Sequence, residues 1–295
     1  MSNVIPLART DQTEMLVENF RQYLLRSDRA KSARSYVSDI RDFFTWLEKK
    51  AISIKSITPL DMTEYRAYLQ IQGRKPSTVN RKLVSLRIFF NWLVQQKLIL
   101  DNPAENIKPV TTQGLTPKWL TRQEQAALMR AVREKQNPRD EALITLILHT
   151  GLRVSEVASL IREDIFIGER SGKVIVRQGK GNKYREVPLN KTVRHVMQKW
   201  FKANPDGPLF PNRYKKPLST RAIHNIISEY AYYAKLRDVS PHTLRHTFCK
   251  NLIDAGVPID QVAMMAGHSK LDITRVYTAP SIDDLQSAVE KTAWE

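Results

Sequence analysis

A single cysteine, Cys249, stands among 295 residues, so the chain can close no intramolecular disulfide and offers no cysteine-rich zinc cluster. Its neighbours suggest a buried helical thiol. Long apolar runs are also missing. The most apolar stretch, Ala142 to Leu148, falls far short of the ~20 residues that span a bilayer. The opening segment, MSNVIPLART, lacks the basic start and apolar core of a secretory signal. These absences predict a cytoplasmic protein with no membrane partner. Acidic residues are scarce as well: 30 Asp and Glu face 47 Lys and Arg, and the resulting net charge of +17 favours a polyanionic partner, nucleic acid first. Two cofactor motifs fail on specifics. Gly168 to Lys173, GERSGK, is one residue too short for a phosphate-binding P-loop and is followed by Val174 rather than Ser or Thr. His242 and His246 have the spacing of a zinc-binding helix, but Thr243 stands where a metalloprotease needs glutamate. Neither ATP nor a metal is expected, and no other cofactor is implied.

What is present is periodic helix, broken in a few places. The length allows two domains with a core each. Ser32 can cap a helix whose Tyr36, Ile40, Phe43, Phe44 and Leu47 share one face. A second periodic stretch follows Pro59 through Tyr65, Tyr68 and Leu69, and Gly73 ends it. A third begins at Ser77 and carries Val79, Leu83, Leu86, Phe90 and Leu93, with Arg81, Lys82 and Arg87 on its other side and Arg74 and Lys75 just before it. Between Ile107 and Lys118 the sequence IKPVTTQGLTPK has no apolar period. It is the linker candidate. We place an N-terminal helical domain at 1–110, a linker at 111–118 and a second domain at 119–295. Thr121 and Glu124 form a capping-box pattern at the start of that second domain. Pro138 to Thr150 and Val154 to Leu160 read as helices joined at Gly151, and KVIVRQGKGNKYREVPL reads as two strands about a turn at Gly179 to Asn182. Helices are then predicted from about Thr192 to Lys202, Thr220 to Lys235, His242 to Ala255, Ile259 to Met265 and Ser281 to Lys291. The fold class is mainly α with a small β-sheet.

Six residues with complementary chemistry lie in these boxes: Arg153 in HTGLRVSE, Lys180 in GKGNK, His242 and Arg245 in PHTLRH, His268 in AGH and Tyr277 in VYT. A tyrosine can attack a phosphodiester only if other groups bind the non-bridging oxygens, take the phenol proton and protonate the departing oxygen. Arginine presents a planar fork that matches phosphate oxygens, and Arg153 opens a helix whose free amides add to that attraction. An ordinary pairing of Arg153 with Glu156 three residues on is the plainer alternative. His242 and Arg245, three apart, share one side of a helix. His149, His195, His224 and His246 match none of these positions and read as structural or surface groups.

With this set and its order, the chain resembles the tyrosine recombinase (lambda integrase) superfamily, most closely the Xer-like recombinases and transposon-encoded resolvases and integrases. The resemblance runs over nearly the whole chain. It implies an N-terminal SAM-like, core-binding DNA-binding domain and a C-terminal tyrosine recombinase catalytic domain ending in an exchange helix. It makes Tyr277 the nucleophile that forms a 3′-phosphotyrosyl intermediate, Arg153, Arg245 and His268 the stabilisers of phosphoryl charge, His242 the carrier of the phenol proton and Lys180 the donor to the 5′ oxygen. Glu156 is then a supporting residue. Lys183 and Arg185 are expected at backbone phosphates, as are Arg74, Lys75, Arg81, Lys82 and Arg87 in the segment KPSTVNRKLVSLRIFFNWL. The implied partner is double-stranded DNA with specific recombination sites, bound by a homotetramer that passes through a Holliday junction, in the nucleoid. Accessory proteins and a second recombinase stay open. The segment YTAPSIDDLQSAVEK departs from the usual Xer block YTHVS, which leaves mobile-element resolution or integration beside chromosome dimer resolution. Two other readings are a type IB topoisomerase, against which stand the N-terminal helices and the segment beyond Tyr277, and a non-catalytic DNA-binding protein, against which stands the full set of reactive residues.

Overall fold

The computed structural model describes residues 9–111, 117–177, 184–267, 274, 277, 289 and 290. The chain divides into two compact units, Met1–Gly114 and Leu115–Glu295. No helix among the described residues is long and apolar enough to cross a membrane.

The first unit contains α1 (Arg9–Leu25), α2 (Ala33–Lys50), α3 (Pro59–Ile71) and α4 (Pro76–Gln95). In α2 the predicted Ile40, Phe43, Phe44 and Leu47 are buried and Tyr36 is half-buried, with Val37 joining the core beside them. Ser32 makes no side-chain cap, and a short 3-10 turn at Ala30–Ser32 leads into the helix instead. Thr58 and Asp61 form a reciprocal capping box at α3, and Pro59 sits where its missing N–H leaves nothing unpaired. Helix α1 escapes the sequence reading because it buries few apolar residues, Val17, Phe20 and Leu24, in an otherwise polar run. The core is aromatic. Phe43 meets Tyr65 edge-on at 4.8 Å between ring centroids and Phe20 meets Phe89 at 5.0 Å, geometries that suit the ring quadrupoles.

The basic face of α4 differs from the sequence expectation. Lys82 is 4% exposed and donates to Asp39 at 3.1 Å and to Asp42 at 2.5 Å. Arg81 also pairs with Asp39, and Ser85 donates to the same carboxylate at 2.7 Å. Arg87 turns back to the carbonyls of Ala104 and Ile107, at 3.2 and 3.1 Å. Lys82 is therefore withdrawn as a DNA contact, and Arg81 and Arg87 are already engaged within the unit. The buried carboxylate of Asp39 draws Lys82 inward, while Arg81 pairs with it from the surface. Arg74 and Lys75, ahead of the helix, are exposed.

The second unit holds α5 (Arg122–Glu134), α6 (Pro138–Thr150), α7 (Val154–Ser159), β1 (Ile165–Ile167), β2 (Gly172–Val176), β3 (Arg185–Pro188), α8 (Lys191–Ala203), α9 (Thr220–Tyr233), α10 (Pro241–Asp254) and α11 (Ile259–Ala266). The strands form one antiparallel sheet in the order β1-β2-β3, with Val174 facing Ile165 on one side and Val187 on the other. All three are buried. Strand β1 was not foreseen, since three residues carry too little alternation to register. Helix α6 is buried on nearly every side, from Ala142 to Leu148, and packs against α8 and α10. It is the axle of this unit. The capping box of Thr121 and Glu124 forms at α5. The predicted turn at Gly179 to Asn182 and the predicted helix from Ser281 to Lys291, apart from Val289 and Glu290, lie outside the described residues.

Candidate active site

Two helix ends meet in the second unit. Helix α6 stops at Gly151, with φ of +60°, and α11 stops at Gly267, with φ of +67°. A left-handed residue at this position is readily glycine. At Gly151 space demands it too, because a Cβ there would stand 2.3 Å from Cδ1 of Phe248. Carbonyls in a helix's last turn lack partners within the helix and carry the negative end of its dipole. Guanidiniums fill both ends. Arg245, from α10, donates to the carbonyl of Gly151 at 2.5 Å and to that of Ala266 at 2.6 Å. Arg153, just before α7, donates to the carbonyl of Gly267 at 2.5 Å, and Arg185, on β3, donates to that of Met265 at 3.1 Å.

One carboxylate ties these cations together. Glu156 is 3% exposed and accepts from the Arg153 side chain at 2.9 Å and from the Arg153 backbone N–H at 2.8 Å. It also accepts both forks of Arg185, at 2.9 and 2.7 Å. Burial alone would raise its pKa, but the hydrogen bonds from Arg185 and Arg153 outweigh that and hold it below the usual carboxylate value. Arg245 is left with carbonyl partners only among the described contacts. Burial, with Arg153 nearby, brings its pKa down to about 10, so it stays charged at neutral pH. Two guanidiniums thus share one carboxylate while a third, Arg245, has none, and the excess positive charge is of the kind a phosphate could neutralise.

Arg185 was expected at backbone phosphates. Instead, both of its terminal nitrogens are spent on Glu156 and its side chain is 11% exposed. Glu156 bridges Arg153 and Arg185.

Helix α10 carries the remaining groups. Ser240 and Thr243 cap it reciprocally, and Pro241 fixes its first turn. His242 stands exposed on that turn, and partial burial of its ring, then Arg245 and Arg153, lower its pKa. Tyr277 is 1% exposed, packed with Phe248, Cys249, Val262 and Ala266. Its hydroxyl hydrogen-bonds to Nδ1 of His246 and to the Cys249 thiol. Burial, then Cys249, raises the Tyr277 pKa, and burial pushes the thiol up to about 11. His246, which reads from the sequence as a structural or surface group, touches Tyr277. The signal was available. His246 follows Arg245 directly and lies four residues from His242, on the same side of the helix. His149, by contrast, bonds to Asn190, His224 bonds to Ser228, and His195 is exposed. Lys180, Lys183 and His268 lie outside the described residues. Among the described residues no group of His, Cys, Asp and Glu could hold a metal ion.

Residues 118–283 match the model of the phage integrase family, more than half of the chain. The chain belongs to that family. Residues 17–97 match the phage integrase N-terminal SAM-like domain. The tyrosine recombinase XerC of Listeria welshimeri is 32% identical over 297 residues, covering 95% of this chain and 98% of that protein. The tyrosine recombinase XerD of Chlorobaculum tepidum is 30% identical over 287 residues, covering 92% and 93%. Membership makes this phage integrase family chain an enzyme of DNA strand breaking and rejoining, of the tyrosine recombinase type, and disfavours the topoisomerase and non-catalytic readings. Among solved structures, the XerH site-specific recombinase bound to palindromic difH substrate, a post-cleavage complex, aligns with a TM-score of 0.78 at 21% identity, over 94% of this chain and 84% of that one. The Tn1549 transposon integrase in complex with a circular intermediate DNA aligns with a TM-score of 0.72 at 21% identity, over 95% and 99%. At such identity these likenesses speak for the fold.

Proposed function

We propose that this recombinase cuts and rejoins DNA through Tyr277, one strand at a time, at specific sites. The observation that carries the reading is the arginine cluster on Glu156, an excess of buried cation whose members converge on the ends of α6 and α11 beside His242 and Tyr277. In the reaction, the Tyr277 oxygen bonds to the scissile phosphorus, the bond to the 5′ oxygen breaks, and a 3′-phosphotyrosyl linkage and a free 5′ hydroxyl result. Arg153 and Arg245 hold the non-bridging oxygens, with His268 as a third donor. His242 takes the phenol proton, and Lys180 delivers a proton to the leaving oxygen. One phosphodiester becomes a phosphotyrosine of similar energy, so religation needs no nucleotide.

Exposed Arg74 and Lys75, together with Lys183, are the proposed backbone contacts. A complete exchange breaks four strands, which calls for a homotetramer on two synapsed sites and a Holliday junction, with the segment after Tyr277 docking on the next protomer. The curated relatives point toward the Xer role, while the departure of YTAPSIDDLQSAVEK from the block YTHVS keeps mobile-element resolution or integration beside it. The protein would work at the nucleoid.

The test is capture of a covalent adduct on nicked duplexes drawn from the DNA adjoining the gene. Wild type should form an adduct that survives denaturation, and Tyr277→Phe should bind the same DNA without forming it. An adduct in the variant removes Tyr277 as nucleophile. A bridging 5′-phosphorothiolate, whose sulfur leaves without a proton, should rescue Lys180→Ala and not Arg245→Ala. Failure to rescue either would give Lys180 another task.

A further inference from the structure

The two groups that touch the Tyr277 hydroxyl are displaced along α10 from the groups assigned to the phosphate. His246 lies four residues beyond His242, and Cys249 four residues beyond Arg245. Each step is one helical turn, or ~6 Å along the axis. At 1% exposure, among Phe248, Val262 and Ala266, Tyr277 is closed to solvent, so a duplex phosphate has no open path to it in this position. It must leave this position before it can attack. A phenol buried in largely apolar surroundings is costly without a hydrogen-bond partner. The His246 ring, 5.6 Å from the Tyr277 ring between centroids, supplies one.

The protonation states fit. Burial, then His242 and Arg245, lower the pKa of His246 to about 4, so its imidazole is neutral at pH 7. The phenol keeps its proton, since burial raises its pKa. The phenol therefore donates, and Nδ1 accepts with the ring proton on Nε2.

We propose that His246 is a positioning residue for the nucleophile, holding the Tyr277 hydroxyl in its buried position until DNA engages. The role rests on Tyr277 being the nucleophile. Its test reads the free protein, so a failure of the hold and a failure of the cleavage assignment are separate results.

Full-length protein would be nitrated with tetranitromethane and the modified tyrosines mapped by peptide mass spectrometry. Exposed Tyr184, Tyr214 and Tyr232 serve as labelled references, and buried Tyr230 reports an intact second unit. Tyr277 should be protected in wild type. His246→Leu should raise its labelling roughly tenfold, the size of effect expected from one lost buried hydrogen bond. His246→Asn, whose Oδ1 can take the place of Nδ1, should restore protection. Equal protection in His246→Leu overturns the proposal, as does free labelling of Tyr277 in wild type. If Tyr230 also becomes labelled in His246→Leu, that variant has lost its fold, and the decision passes to Tyr277→Phe in histidine 15N spectra. Removing the phenol should then move the Nδ1 resonance of His246 alone, and an unchanged resonance refutes the contact.

Discussion

The two units bury charge in different ways. In the N-terminal unit, buried Lys82 lies between the carboxylates of Asp39 and Asp42 and exposed Arg81 also meets Asp39, while half-buried Arg87 donates to the carbonyls of Ala104 and Ile107. In the C-terminal unit, Arg153 and Arg185 share Glu156, while Arg245 has only carbonyl oxygens from the ends of α6 and α11. Neutral dipoles can hold a guanidinium in place without cancelling its charge. The first arrangement is neutralised within the protein; the second leaves positive charge over. Basic residues in both units looked alike as sequence, and only their acceptors separate scaffold from site.

The sharpest break in this contrast is chemical. Arg245→Met should lower the rate of covalent adduct formation by about 10²–10³-fold, the usual effect of deleting one donor to developing charge. Substituting Lys82→Met with Asp39→Leu should leave the adduct rate near wild type, because apolar groups of similar size often replace a buried ion pair without loss. A comparable collapse of adduct rate in the double variant would mean that the Asp39 cluster is more than scaffold.

Removing a lone carboxylate tests the other side. Glu156→Ala leaves Arg153 and Arg185 without their counter-charge and should cost about 3–5 kcal/mol in urea unfolding. Adduct formation should fall with it, since both arginines lose their orientation. Unfolding at wild-type midpoint would show that the carbonyls alone hold the cluster.

Acid should act on the C-terminal cluster in two stages. The unfolded chain protonates His246 near its ordinary value of about 6.5, while the folded chain resists until about 4. Its stabilising contribution is therefore complete above ~6.5 and is lost as pH falls through the folded value. Glu156, held below the usual carboxylate range, contributes fully above ~4.3 and is lost at still lower pH. Urea midpoints should fall from pH 7.5 to pH 5, and the drop should shrink in His246→Asn. An equal drop in that variant would trace the acid sensitivity to other groups.

The smallest effect concerns DNA affinity. Neutralising Arg74 and Lys75 should flatten the salt dependence of DNA binding by roughly one unit of slope for each lost phosphate contact, with the unfolding midpoint unmoved. Lys82→Ala should do the reverse, lowering stability while leaving the slope alone. A flattened slope for Lys82→Ala would return that residue to the DNA-binding surface.

Much of this was legible in the chain itself. The apolar stripes of α2, α3 and α4, the capping box at Thr121 and Glu124, and the break at Gly151 follow from local periodicity and capping chemistry, which neighbouring residues set among themselves. The boxes that hold Arg153, Arg245 and Tyr277 lie within the stretch that matches the family, residues 118–283. What sequence could not decide was which acceptor each charge would find. Lys82 turned inward because Asp39, 43 residues away, is buried against it, and Arg185 turned to Glu156 across 29 residues. His246 met Tyr277 only because α10 packs where the chain returns after α11. Local pattern fixes which face of a helix is apolar, but the partner of a polar group on that face is set by the distant segments that folding brings beside it.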